Sequence, residues 1–290
     1  MMNEAGRWRL ELARQMAGLY AQNAKVAAMV VAGSVGHGRA DAYADIELDI
    51  FWHEPPTDAE RQQPIQELNA EIIEFWPLED DEWSEDFLVG PMQYDISNFL
   101  VSTIDRTIAD VVAGDTAVLK QCRLAGLRHG VAVVGRELIE QWQAQITPYP
   151  DALRREMVAE NLNFPALGIW YMRNVLAVRQ DWLMLADVLV RMQRRVMGAL
   201  LGLNGLYLAH PGYKWLNETI AEMSLTPPDL AARLQNINFV TPTAAIEPLH
   251  QLLEETIALA EQELPDLDFS GARRAIGRRL TAVYPHSFTL

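Results

Sequence analysis

The sequence predicts a mixed α/β domain over residues 1–147 and an all-helical domain over residues 148–290. Three observations carry this. Short apolar runs and one strictly alternating stretch lie before residue 135, with helical periodicity between them. Pro148 and Pro150, followed by Asp151 as a helix N-cap, mark a boundary. Beyond it the apolar residues recur at steps of three and four.

Leu10, Leu12, Ala13, Met16 and Leu19 predict an amphipathic helix over Leu10 to Gln22. An apolar strand, Val26 to Ala32, then ends at Gly33-Ser34. Asp45-Ile46-Glu47-Leu48-Asp49-Ile50 alternates strictly, which is a strand signal because successive side chains point to opposite faces. Ile46, Leu48 and Ile50 are expected in the core, and Asp45, Glu47 and Asp49 on the other face. Two carboxylates about 5 Å apart cost roughly 3 kcal/mol at an effective dielectric near 20. Either the face is solvated, or a cation or proton offsets the repulsion. The Gly-Ser turn favours the second alternative. Small residues leaving a strand expose N–H groups that form an anion nest, and Mg²⁺ prefers carboxylate plus phosphate oxygens.

After Pro55-Pro56, Thr57 or Asp58 is expected to cap a helix over Glu60 to Glu74. Glu79, Asp80, Asp81, Glu82, Glu85 and Asp86 read as an acidic loop, either a solvated connection or a rim that attracts a cationic acceptor. Phe87 to Val89 and Met92 to Phe99 read as a hairpin around Gly90-Pro91. Asp95 is the one acid in the second of these strands and needs a partner or a job: a third carboxylate for the site, or a hydrogen-bonded structural aspartate. Helices over Thr103 to Val112 and Thr116 to Leu127, a strand over Val131 to Val134 and a helix over Glu137 to Gln143 complete the first half.

In the second half Asn163-Phe164-Pro165 interrupts one helix and restarts another through about Val178. Trp182, Leu185, Leu189, Met192, Val196 and Leu200 form a bundle stripe, with Asp187 and Arg191 as an ion-pair spacing on the outer side. Further helices are expected over Lys214 to Met223, Pro228 to Leu234, Ile246 to Leu259 and Gly271 to Val283. Arg273, Arg274, Arg278 and Arg279 read as a solvated basic face or as partners of the acidic first half. Leu203-Asn204-Gly205-Leu206-Tyr207 and His210-Pro211-Gly212-Tyr213-Lys214-Trp215-Leu216 stand apart as motif-like strings.

Gly33-Ser34, about ten residues, then Asp45-Ile46-Glu47-Leu48 resembles the active-site signature of the DNA polymerase beta-like nucleotidyltransferase superfamily. The Pro211 to Leu216 string resembles one in the helical half of stand-alone bacterial nucleotidyltransferases, a group similar to the antibiotic nucleotidyltransferases. The resemblance implies a nucleotidyltransferase domain with a small mixed sheet, a helical substrate- or nucleotide-binding domain, and an active site in the cleft between them. It implies an enzyme in which Asp45, Glu47 and Asp95 are catalytic and hold two Mg²⁺ ions, while Gly33, Ser34 and Lys214 bind the nucleotide. Glu47 stands where a second aspartate is the commoner residue. The implied reaction moves a nucleoside monophosphate, from ATP, onto a hydroxyl of a small acceptor such as a cationic antibiotic, with release of pyrophosphate. Lys214 also has a plainer reading, as a lysine at a helix start. Two alternatives stand beside this function: a toxin-like transferase acting on protein or tRNA, and a non-catalytic nucleotide sensor.

Composition bounds the rest. The net charge is −15, with 24 acids and 11 bases in residues 1–145 against 15 acids and 13 bases in residues 146–290. That balance opposes a nucleic-acid partner and favours a cationic small molecule. No apolar run reaches the roughly 20 residues of a membrane helix. The polar, amphipathic opening MMNEAGRWRLELARQM lacks the apolar region of a signal peptide, and Cys122 is the one cysteine, so a cytoplasmic location is expected. The order of Gly33, Gly36 and Gly38 is wrong for a dinucleotide fingerprint, and no P-loop or G-x-S-x-G string occurs. The six histidines, His37, His53, His129, His210, His250 and His286, are scattered without zinc-ligand spacing.

Overall fold

The computed structural model describes residues 2–79 and 81–283. Asp80 of the acidic stretch and His286 lie outside the described residues. The chain divides into two compact units. The first runs to Ala113 and resumes over Ala117–Pro148; the second takes Gly114–Thr116 and the residues from Tyr149 onward.

In the first unit the order is α1 (Glu4–Tyr20), β1 (Val26–Val31), α2 (Gly33–Gly36), β2 (Ile46–Trp52), α3 (Asp58–Glu67), β3 (Glu71–Phe75), β4 (Glu82–Val89), β5 (Met92–Leu100), α4 (Val101–Val112), α5 (Val118–His129), β6 (Val131–Val134) and α6 (Arg136–Ile146). The strands make one mixed sheet in the order β3-β4-β5-β2-β1-β6. β2 and β5 pair in parallel; the other neighbouring pairs are antiparallel.

One face of the sheet is the core. Ile46, Leu48, Ile50, Phe87, Tyr94 and Ile96 pack there with Leu10, Met16 and Tyr20 of α1 and Ile65 of α3. A buried polar network shares this face. Arg61 of α3 donates from Nη2 to Glu85 Oε2 at 2.8 Å, Asn98 Nδ2 donates to Glu85 Oε1 at 3.1 Å, and Trp52 Nε1 donates to Asn98 Oδ1 at 2.9 Å. Glu85, Asn98 and Trp52 come from β4, β5 and β2, so the network ties three neighbouring strands together.

Two expectations need correction here. Glu82–Val89 is a strand, not the end of an acidic loop, and its alternation carries Trp83, Glu85 and Phe87 inward. Burying Glu85 requires the tertiary partner Arg61, which local sequence does not reveal. The helix expected over Glu60 to Glu74 stops at Glu67, where Leu68 caps it, and Glu71–Phe75 forms the edge strand beside β4. Its start is as expected: Thr57 and Glu60 form a capping box.

The second unit is helical: α7 (Asp151–Asn161), α8 (Phe164–Leu167), a 3₁₀ turn (Gly168–Met172), α9 (Arg173–Arg179), α10 (Trp182–Asn204), α11 (Leu216–Ala221), α12 (Leu230–Phe239), α13 (Pro242–Glu263) and α14 (Ser270–Gly277). The stripe Leu185, Leu189, Met192, Val196 and Leu200 of α10 enters its core against Leu249, Leu253 and Ile257 of α13, while Trp182 stays exposed. Asp187 and Arg191 pair at 2.7 Å on the outer face. Lys214 precedes α11 instead of starting it, and the last helix ends at Gly277 rather than Val283. Arg273 pairs with Glu261 of α13, within its own unit.

Among the described residues no helix is long and apolar enough to cross a membrane.

Candidate functional site

β2 is a strand because Ile46, Leu48 and Ile50 fill one side of the sheet, as their alternation predicts, leaving Glu47 and Asp49 half-buried on the other. The parallel register sets Glu47 opposite Asp95 of β5. Asp95 stands opposite Asp86 of β4, and Asp86 opposite Glu74 of β3. Four neighbouring strands, spaced about 4.8 Å apart, thus present a lateral row of four acids on the face away from the core.

The row meets the Gly33-Ser34 turn at its inner end. Ala32 N donates to the Glu47 carbonyl at 3.0 Å, which ties the exit of β1 to β2. Gly33 is left-handed (φ 53°), and a β-carbon on it would lie 2.0 Å from Glu47 Oε1. The Glu47 side chain therefore occupies space that only glycine leaves open. Next to it the Ser34 hydroxyl is buried and makes no hydrogen bond among the described residues. His37 closes the turn, with Nδ1 2.9 Å from the Gly33 carbonyl oxygen and its ring stacked on His129 at 4.6 Å.

The electrostatics follow from crowding. Burial first, then the charges of Glu47 and Asp95, push the Asp49 carboxyl up to about 8, against the opposing pull of Arg123. The Asp86 carboxyl is also raised, by partial burial and then by Glu74 and Asp45. Asp45, immediately before β2, is thus within electrostatic reach of Asp86. From α5, Arg123 pairs with Glu82 and lies 5.1 Å over the Phe99 ring, and Gly126 sits against Asp49, with a β-carbon there 3.5 Å from Oδ2.

The geometry therefore draws Gly33, Ser34, Glu47 and Asp95 to one end of the sheet, with Asp45 at the entry to β2. Lys214 belongs to the second unit, exposed in the turn before α11, where its charge and burial lower the His210 imidazole, burial being the larger cause. Sequence reasoning placed Asp49 on the correct face but outside the site, assigned Asp86 to a loop, and passed over Arg123. The available signals were the third acid at two-residue spacing and a basic helix, with Lys120, Arg123 and Arg128, in a strongly acidic half.

Among the described residues, no three His, Cys, Asp or Glu side chains converge into a group that could hold a metal ion. The donor chemistry still fits Mg²⁺ with a phosphate-bearing ligand. Burial first, then the charges of Glu47 and Asp95, raise Asp49, and Ser34, next to Gly33 in the turn, has a buried hydroxyl with no hydrogen bond among the described residues. Mg²⁺ is commonly held by one or two carboxylates, with phosphate oxygens and water completing its shell.

Among known proteins, a family model described as a domain of unknown function, DUF4037, matches residues 117–216, from α5 to the start of α11. No curated protein matches the chain. The crystal structure of a nucleotidyltransferase-like protein from Exiguobacterium sibiricum 255-15 is similar over 88% of this chain and 77% of that one. With 12% sequence identity and a TM-score of 0.40, that likeness is a distant one.

Proposed function

We propose that the first unit transfers a nucleotidyl group from a nucleoside triphosphate, ATP in the first instance, to a hydroxyl of a small acceptor. One observation carries this reading: the Glu47 carboxylate seated on Gly33, beside the unpartnered Ser34 hydroxyl and in register with Asp95. Phosphate oxygens would accept from the Gly33 N–H and the Ser34 hydroxyl. Asp45, Glu47 and Asp95 would hold two Mg²⁺ ions, which when bound offset charge on the triphosphate and on the attacking oxygen.

Asp95 is flanked by Glu47 and Asp86 in the sheet register. It orients the acceptor hydroxyl and accepts its proton. The acceptor oxygen then bonds to the α-phosphorus while the bond to the pyrophosphate oxygen breaks. An acceptor of positive charge suits a face carrying Glu47, Asp86 and Asp95, with Asp45 within electrostatic reach of Asp86.

The test is pyrophosphate release from MgATP in the presence of labelled acceptor panels: aminoglycosides, lincosamides, tRNA and protein extracts. Asp45→Asn should abolish transfer with the melting curve unchanged. Turnover retained in that variant refutes the assignment.

A further inference from the structure

The second unit holds a cavity of about 240 Å³ between α10, α12 and the turn before α11. Met197 and Leu234, both buried, lie at its apolar side with Leu216. Its polar lining residues are Gln193, Arg194, Tyr213 and Asn238, and the amides of Gln193 and Asn238 donate to the Leu189 and Leu234 carbonyls of their own helices. The lining contains one cation and no acid, in a chain of net charge −15.

The turn that walls the cavity is strained. Tyr213 (φ 57°) and Trp215 (φ 54°) both hold left-handed backbone, a conformation that bulky side chains rarely adopt. Such outliers persist where surrounding structure over-determines them, and they cluster at ligand sites. Here the Tyr213 hydroxyl donates to the Arg194 carbonyl at 3.2 Å, fixing the ring along α10. No hydrogen bond or ion pair engages the Arg194 guanidinium among the described residues.

We propose that this cavity binds a small ring-bearing organic anion, an aromatic carboxylate. Its ring lies on Met197, Leu216 and Leu234, and its carboxylate faces Arg194, whose planar donors match two carboxylate oxygens. A polycation would meet no counter-charge here. The inference concerns the second unit alone and stands whether or not the first unit transfers nucleotides.

The experiment uses the full chain and saturation-transfer NMR with benzoate, phenylacetate and indole-3-acetate, each set against its neutral amide. The carboxylates should bind and the amides bind more weakly. Arg194→Gln, at an exposed position, should weaken the carboxylates about tenfold and erase their advantage. Leu216→Trp, which fills the cavity, should abolish binding while the melting curve shows a folded chain. Absence of binding by all three carboxylates, equal binding of the amides, or an unchanged affinity in Arg194→Gln would overturn the proposal.

Discussion

Glu47 closes over Gly33, leaving so little room that a β-carbon at position 33 would lie 2.0 Å from Glu47 Oε1. The turn after β1 and the acidic strand β2 are thereby one object. The residue that lets the turn form also makes space for the carboxylate beside it.

Gly33→Ala tests that coupling. The added methyl strains a left-handed backbone by about 1–2 kcal/mol and also collides with Glu47, so a total loss of about 2–3 kcal/mol is expected. Gly38 offers the control: it is equally left-handed (φ 68°), but nothing lies within 4 Å of a β-carbon there. Urea unfolding of Gly33→Ala and Gly38→Ala separates backbone strain from collision. Equal losses in the two variants would show that Glu47 does not crowd the turn.

The Asp49 carboxyl gives the chain a distinctive pH dependence. In the folded state it is raised from its ordinary value of 3.8 to about 8. Between those values the folded chain holds a proton that the unfolded chain has lost, so stability falls as pH rises through the window. Asp49→Asn resembles the protonated form and should abolish the fall. Wild type and variant should match near the lower end, and the variant should be more stable above pH 8 by several kcal/mol. Denaturant midpoints at about pH 5 and about pH 9 measure this; parallel curves for the two proteins would count against it.

What the sequence made legible is what local periodicity encodes. The alternation in β2 separated Ile46, Leu48 and Ile50 from Glu47 and Asp49, and the stripe on α10 marked its buried side. What stayed hidden depends on contacts between segments far apart in the chain. Glu71–Phe75 becomes a strand because β4 offers it an edge, although Ile72 and Ile73 remain exposed. Glu85 looked like loop because an acid at an inward position is expensive, and only Arg61, Asn98 and Tyr20 make it tolerable. Asp86 joined the acidic row for the same reason. Once Glu85 points inward, its neighbour on the strand must point outward.

The buried network makes its own prediction. Burial is the largest influence on the Glu85 carboxyl and raises it, while Arg61 and Asn98 pull it down. Arg61→Met removes the opposing charge and leaves Glu85 buried without its cation, at an expected cost of about 3–5 kcal/mol. Pairing that change with Glu85→Gln should recover a large part of the loss, because the uncompensated charge is gone. A double-mutant cycle read by chemical denaturation gives the coupling. Strict additivity would mean that the two side chains contribute independently.

Arg123 is the cation that opposes the rise of Asp49, and α5 brings it there while pairing it with Glu82 and laying it over Phe99. Removing it by Arg123→Ala should therefore act at a distance from its own ion pair. The loss of the partly exposed pair with Glu82 costs about 1 kcal/mol or less. The more telling effect falls on Asp49, whose carboxyl should titrate at higher pH once the guanidinium is absent, moving the upper end of the window of falling stability upward. Arg123→Lys keeps the charge but loses the flat contact with Phe99, so it should leave the Asp49 titration near its wild-type position while still lowering stability. Carbon-13 NMR of the labelled aspartate carboxyls across the titration follows Asp49 directly. If the Asp49 curve is the same in wild type, Arg123→Ala and Arg123→Lys, then Arg123 serves only to anchor α5 through Glu82.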